Sequence, residues 1–424
     1  MWGLGSRLGA VALALTCCAG AVHAAPFGIF DPRSLAMGGT GVSSGTSGNA
    51  SYFNPALLAA ARPNDTFSFE IMAAARAYDP DKLRDDIDTL DSSGQNLGNA
   101  ISQFNQTQNT GNAAQLASAL GSFQNALRTV GNKTAEANLF ASPLTVGVPG
   151  KDLGWAVSAA ARADIGLKAV YETSDDALLT SYQTAAQNYA MSGSAADLAA
   201  LIALGDTNSD GMLDDPNLLS HVDVRGAGFA EYGVSLAHEF QSLGKLAIGI
   251  TPKYVKVYTL DYRASSQNPE ITADQGRKDY TSSNLDIGLA QDLGAGFKWG
   301  LVGKNVIARD YATILGNKIE VKPQVRAGLS HHTDWTTFAI DVDLTENQPV
   351  SFDKPTRYAA VGVEFDVWGF LQLRAGYRAD LSGNYSGIPS VGLGLRFLGL
   401  HLDLAVAKRG EEEAMAAAQL GFRF

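Results

Sequence analysis

Ten residues, Asp206-Thr207-Asn208-Ser209-Asp210-Gly211-Met212-Leu213-Asp214-Asp215, hold the sharpest chemical pattern in the chain. Oxygen-bearing side chains at positions 1, 3 and 5 of a loop, followed by glycine, open an EF-hand-type calcium loop. Asp206, Asn208 and Asp210 supply those oxygens, Met212 offers its carbonyl, and Asp214 binds directly or through water. Position 12 is Asn217, not a bidentate Glu. The expectation is weakly bound calcium, in the range of extracellular modules at about 10⁻⁴–10⁻³ M. The plainer alternative is an acidic surface turn.

Other chemistry is scarce. Gly41-Val42-Ser43-Ser44-Gly45 matches the nucleophile elbow of hydrolases, but that elbow needs a strand before it and a helix after it. Here it lies in a Gly/Ser-rich stretch. His221, His238, His331, His332 and His401 show no metal-ligand spacing, and no Gly-Lys-Ser/Thr phosphate loop occurs. We expect no enzyme. The formal charge is −11 with acids spread along the chain, so no nucleic-acid footprint is present.

The N-terminus reads as an export signal. Arg7 precedes an apolar run from Leu8 to Val22, and Val22-His23-Ala24 offers small residues for cleavage after Ala24. Both cysteines, Cys17 and Cys18, lie inside it, which leaves no disulfide framework.

The body is period two. In 338–344 and 361–367, apolar residues alternate with small or acidic ones, as on a strand with one apolar and one polar face. Fourteen such segments are counted: 65–77, 141–148, 153–164, 223–239, 243–261, 280–292, 296–308, 319–332, 335–345, 357–367, 370–379, 389–397, 399–408 and 414–424. Their connections alternate between long and short. Most span about ten residues, enough to cross a bilayer at a tilt of ~45°. No body segment has 18 consecutive apolar residues, which excludes a helical-bundle membrane protein. Lipid forces a sheet to close, so the expected fold is all-β: a 14-stranded antiparallel transmembrane β-barrel. Trp299, Tyr311, Trp335, Phe352, Tyr358, Trp368, Phe370 and Phe397 sit near segment ends, as interface girdles do. Glu364, Asp366, Arg374, Arg378, Arg396 and Asp403 fall on the polar face and read as a solvated lumen.

Two inserts, 78–140 and 165–222, carry helical spacing instead. Leu83, Ile87 and Leu90, then Leu97, Ile101 and Phe104, then Leu116, Leu120, Phe123 and Leu127 recur at three or four residues. Leu178, Tyr182 and Tyr189, with Leu198, Leu201 and Ile202, do so in the second. By parity both inserts fall on the outer face and pack together as a lid.

Ser34-Leu35-Ala36-Met37-Gly38-Gly39-Thr40-Gly41 leads to Tyr52-Phe53-Asn54-Pro55-Ala56-Leu57. This Gly-rich entry to Asn-Pro-Ala resembles the N-terminal hatch of the FadL-type long-chain fatty-acid and toluene transporters. Those are 14-stranded outer-membrane barrels with a lumenal plug. Within that superfamily the chain is most similar to barrels named conjugal transfer protein TraF. The resemblance marks Gly38, Gly39, Gly41, Asn54, Pro55 and Ala56 as the plug motif. It also marks Leu420, Phe422 and Phe424, a terminal alternation ending on Phe, as the assembly signal. It implies a signal peptide at 1–24, a plug at 25–62 and a barrel at 63–424. It further implies a place in the bacterial outer membrane, among phospholipid and lipopolysaccharide and inserted by the barrel-assembly machinery. The expected function is a channel for passive uptake of small hydrophobic compounds. The alternative is a conjugation-associated barrel with a structural or cell-contact role.

Overall fold

The computed structural model describes residues 23–24, 31–60, 65–265 and 276–424. The export signal lies outside them apart from the backbone at 23–24, as do both ends of the expected plug at 25–30 and 61–62.

Fourteen antiparallel strands close into one barrel. They are β1 (Ser68–Tyr78), β2 (Thr134–Val148), β3 (Gly154–Val170), β4 (His221–Phe240), β5 (Leu246–Ser265), β6 (Arg277–Gly294) and β7 (Phe297–Lys304). They continue with β8 (Gln324–His332), β9 (Thr336–Asp343), β10 (Tyr358–Val367), β11 (Leu371–Asp380), β12 (Ile388–Phe397), β13 (Leu400–Arg409) and β14 (Glu413–Arg423). β14 pairs with β1 from Glu413–Tyr78 to Arg423–Ser68, so no edge remains. Among the described residues no helix is long and apolar enough to cross a membrane.

The alternation turns the barrel inside out relative to a soluble protein. Phe338, Ile340, Val361, Phe365, Leu393, Leu402 and Leu404 face outward and are exposed. Between them Ala339, Asp341, Glu364 and Asp403 face inward and are buried. Trp335, Trp368, Phe370 and Phe397 stand exposed at the short-turn end, 62%, 85%, 48% and 73% accessible, as an interface girdle requires. Tyr311, Phe352 and Tyr358 do not join it. Tyr311 is buried in an outer hairpin, Phe352 lies beneath Arg225, and Tyr358 borders a lumenal cavity.

Several boundaries differ from the sequence reading. β2 begins at Thr134, not 141, and β3 continues to Val170. The segment expected at 319–332 splits: Lys318–Val321 pairs with Arg309–Ala312 in a separate hairpin, and β8 starts after Pro323. Proline has no N–H to give the ladder, so it ends one strand before the next begins. Strands β4 and β5 are 20 residues each, about twice the roughly 9–11 a bilayer crossing needs. The excess stands above the barrel at the long-loop end. There the hairpin's Tyr311, Ile319 and Val321 pack on Phe229 and Val257.

Helices α3 (Leu83–Gln106) and α4 (Thr110–Val130) form the first insert, and α5 (Thr173–Ser192) and α6 (Ala195–Gly205) the second. Labels α1 and α2 belong to the plug, described below. Leu90, Leu97, Phe104, Leu116, Leu120 and Phe123 bury against Leu179, Tyr182, Tyr189 and Leu201. The Tyr189 hydroxyl donates to Gln108 O at 2.8 Å, tying the two inserts together. The lid is therefore one helical body with its own core.

The C-terminus completes the closure. Phe424 N donates to Phe67 O at 3.0 Å, and Phe424 O accepts from Phe67 N at 3.2 Å. Its ring rests on Gly399, where a Cβ would meet it at 2.6 Å. Deleting Phe424 removes both backbone bonds, whereas Phe424→Ser keeps them. The deletion is expected to lower the heat-modifiable folded band on a semi-native gel more than Phe424→Ser does. Equal folded bands in wild type and deletion would remove this residue from assembly.

Candidate functional site

Residues 31–60 fold inside the barrel. Pro32–Ala36 is helix α1, capped by the Asp31 carboxylate accepting from Ser34 N at 2.9 Å. Ala50–Phe53 is α2, and Pro55–Leu58 is a 3₁₀ turn whose cap, Asn54 Oδ1, accepts from Ala56 N at 3.1 Å. Almost every residue of this plug is buried.

Two kinds of contact hold the plug to the wall. The first is electrostatic. Asp341 on β9 accepts from Gly41 N at 2.8 Å and Val42 N at 3.0 Å. Arg33 pairs with Glu364 at 2.8 Å. Glu364 also pairs with Arg374, its cross-strand neighbour, at 2.7 Å, and Arg374 reaches Asp403 at 2.5 Å. Next to this chain Glu70 receives His401 at 2.7 Å and Arg423 at 2.9 Å. Arg326 bonds Asp343 at 2.5 Å and Gly39 O at 3.2 Å, and Lys304 donates to Tyr52 O at 2.6 Å. These charges were expected to be solvated. Glu364, Arg374, Arg378 and Asp403 are instead buried, because the plug takes the volume water would fill. Only Asp366 and Arg396, nearer the short-turn end, keep partial exposure.

The second kind is close approach of backbone to backbone. A Cβ at Gly376 would sit 2.1 Å from Gly38 N, at Gly249 2.4 Å from Ala56 N, and at Gly288 1.9 Å from Asn54 Oδ1. At Gly300 and Gly362 it would sit 2.4 Å from Val42 O and Met37 O, and at Gly328 3.1 Å from the Val42 Cβ. Wall glycines on six strands thus form a seat that no side chain can occupy. On the plug side, Gly38 and Gly39 have φ of +73° and +100°, which L-residues with a Cβ rarely adopt. Asn54 Nδ2 bonds Val42 O and Leu289 O, both at 2.9 Å. The Asn-Pro-Ala turn therefore locks one part of the plug to another and to β6.

The elbow-like serine is not placed for nucleophilic chemistry. Among the described residues Ser43 Oγ has no hydrogen-bond partner, and the N–H groups of Gly41 and Val42 already hold Asp341.

Helix α1 separates two cavities. Leu35 borders an outer one of about 120 Å³, with Ala74, Phe140, Val350, Tyr358 and Met415 around it. Asp31 and Arg33 border an inner vestibule of about 400 Å³, lined by Ser43, Lys298, Glu364, Arg374 and Arg423. β2 carries the main irregularity of the wall. At Pro143 its register slips against both β1 and β3, and the Tyr52 hydroxyl bonds Ser142 and Thr145 there at 2.7 and 3.0 Å. β3 pairs with β4 without interruption from Gly154 to Val170.

Residues 51–343 match the family model described as "F plasmid transfer operon, TraF, protein". The chain belongs to that family. No curated protein matches it. Among solved structures, the toluene transporter TbuX of Ralstonia pickettii is similar at 12% identity and TM-score 0.51. The match covers 93% of this chain and 98% of that one. A monoaromatic hydrocarbon channel, the TodX deltaS2S3 mutant, matches at 12% identity and TM-score 0.49, over 93% and 98%. At 12% identity the likeness to TbuX shows the fold alone, the closed barrel that this TraF-family chain builds from fourteen strands.

The acidic turn lies outside the barrel, at the C-terminus of α6. Asp206 accepts from Asp210 N at 3.0 Å and Gly211 N at 2.8 Å, and Asn208 Oδ1 accepts from Asp210 N at 3.0 Å. Asp210 accepts from Met212 N at 2.9 Å. The hydroxyl and N–H of Thr207 hold the Asp214 carboxyl below its usual range. Each oxygen is thus turned onto its own loop. Among the described residues no group of three His, Cys, Asp or Glu side chains is gathered to hold a metal. Calcium here is a proposal: millimolar calcium is expected to slow proteolysis of 200–220, and Asp206→Ala with Asp210→Ala to abolish the effect. Equal cleavage in calcium and in chelator would leave an acidic turn.

The plug makes a sharper prediction. Gly288→Val drives a side chain into Asn54, and Glu364→Gln strips Arg33 and Arg374 of a shared carboxylate. Breaking a buried pair typically costs about 3–5 kcal/mol. Both changes are expected to speed hydrogen exchange in 31–60 while the heat-modifiable barrel band stays. Unchanged exchange in both would mean that neither contact seats the plug.

Proposed function

We propose that the protein is an outer-membrane channel of FadL type that passes small, largely apolar compounds passively. The observation that carries this reading is the pair of cavities on opposite sides of α1. A solute reaching the outer cavity past the lid meets apolar wall at Leu35, Ala74, Phe140, Val350 and Met415. A movement of α1 by its own width opens that space to the vestibule. Binding at the outer cavity comes from apolar burial, worth about 25 cal/mol per Å², with no coupled chemistry. The barrel then sits in a bacterial outer membrane, between phospholipid and lipopolysaccharide and inserted by the barrel-assembly machinery. The long-loop end faces outward, and no nucleic acid is bound.

The family match favours a second reading, a structural or cell-contact role in conjugation. The lid offers Met191, Leu204, Met212 and Leu219 exposed on its outer surface for such a contact.

Uptake by intact cells separates the two. Cells carrying the protein are expected to accumulate a labelled monoaromatic compound several-fold faster than cells without it. Leu35→Trp, which fills the outer cavity, is expected to remove the gain with the folded band intact. No gain over empty cells, with mating efficiency falling in a deletion strain, would sink the channel and support the contact role.

A further inference from the structure

Arg378 departs from the pairing that governs the rest of the lumen. It projects inward from β11 and is 7% exposed. Its guanidinium lies over the Tyr358 ring at 4.4 Å, and Nη2 meets only the Met415 thioether, at 3.6 Å. Among the described residues it has no carboxylate partner. An arginine does not shed its proton to relieve burial, and an unpaired buried charge is costly.

The surrounding charges do not serve it. Arg76 holds Glu413 at 2.6 Å and Asp353 at 3.0 Å, and Arg162 holds Asp164 at 3.0 Å. Glu136 accepts from the Ser351 hydroxyl at 2.5 Å and from Phe352 N at 2.9 Å. Lys354 is exposed at the rim. Each carboxylate on the outer cavity is already engaged, and among the described residues lining it the uncommitted buried cation is Arg378.

The cavity it borders sets the rest of the ligand. Leu35, Ala74, Phe140, Val350 and Met415 give apolar wall around a space of about 120 Å³. A cavity of about 150 Å³ accommodates benzene, so the volume suits a single ring and not a long chain. A neutral ring would fill the apolar part and leave the guanidinium unmatched. An inorganic anion would match the guanidinium and leave the apolar wall bare. A planar guanidinium presents paired N–H donors that fit a carboxylate side-on.

We propose that the outer cavity binds a small organic anion, a ring-sized apolar body bearing one carboxylate, with Arg378 taking the carboxylate and Leu35, Phe140 and Met415 the ring. The site lies against the plug: a Cβ at Gly39 would stand 3.8 Å from Arg378 Cδ. An anion on Arg378 therefore touches the element that divides the two cavities. The inference rests on the channel reading for its route, not for its binding chemistry.

Binding by the full-length protein in detergent tests it, with benzoate, benzyl alcohol and benzylamine as probes of one size and three charges. Benzoate is expected to bind at least tenfold more tightly than benzyl alcohol, and benzylamine not at all. Arg378→Met, close in length and apolar, is expected to erase the preference for benzoate, and Arg378→Lys to keep part of it. The heat-modifiable band reports folding of each variant, and the wild-type probe series stands without them. Equal affinity for benzoate and benzyl alcohol in the wild type overturns the proposal, even if cells take up neutral aromatics and the channel stands. Preferential benzoate binding with no uptake of either benzoate or neutral aromatics supports the site and sinks the channel.

Discussion

A strand in lipid has no water to receive its N–H and C=O groups, and every other feature of this molecule follows from that constraint. The sheet must close, and β14 must find β1. Closure at fourteen strands leaves an interior too wide for the wall's own side chains to fill. The period-two pattern then sends one face of every strand to lipid and the other into that interior. Polar residues such as Glu70, Asp341, Glu364 and Arg374 can point inward only if something there answers them. The plug does.

The plug is held by matched shape and matched charge together, and the two have different consequences. Wall glycines let main chain meet main chain, as where Gly376 admits Gly38 and Gly249 admits Ala56. Such contacts demand one register and tolerate no substitute. The buried ion pairs contribute less to net stability than their number suggests, since desolvation offsets most of the attraction. What they add is position: Glu364 receives Arg33 from the plug and Arg374 from the wall at once. Where a wall charge also pairs with another wall charge, it keeps that partner if the plug shifts. Glu364 keeps Arg374, and Asp343 keeps Arg326.

The sequence disclosed the barrel because alternation is local. Phe338, Ile340 and Val342 announce their own strand without reference to any neighbour, and the parity of loop lengths orders the strands. It disclosed the helical lid for the same reason, through spacings such as Leu116, Leu120, Phe123 and Leu127. Ends were less legible. Thr134 to Leu139 has weak alternation, and only pairing with β1 and β3 makes it part of β2. The lumen was least legible. Arg33 and Glu364 are 331 residues apart, and nothing local marks either as the other's partner. Arg378 sits among alternating residues like Arg374, yet one is fully paired and the other is not. The wall glycines carried a signal that could have been read. Gly288, Gly300, Gly328, Gly362, Gly376 and Gly392 all fall on the inward parity of their strands, a regularity that closed packing against backbone requires.

The height of the wall bears on how the lumen is used. Strands β3 to β6 rise well past a bilayer crossing, whereas β9 to β13 stop at 8 to 10 residues. The lid packs against the taller side, where Ala169 and Leu167 join its core. On the lower side the loop after β9 lines the outer cavity with Pro349, Val350 and Ser351. That loop is tied down by Ser351 and Phe352 on Glu136, by Asp353 on Arg76 and Tyr385, by Pro355 O on Asn384, and by the Phe352 ring under Arg225. The helical lid has a core of its own, whereas the loop is held by polar contacts to the wall and by Val350, buried against Tyr311 and Val257. The loop's carboxylate at the outer cavity, Asp353, is paired with Arg76 at 3.0 Å. Under the proposed channel reading, a solute in the outer cavity lies between Leu35 of the plug and Arg378 of the wall, with α1 between it and the vestibule.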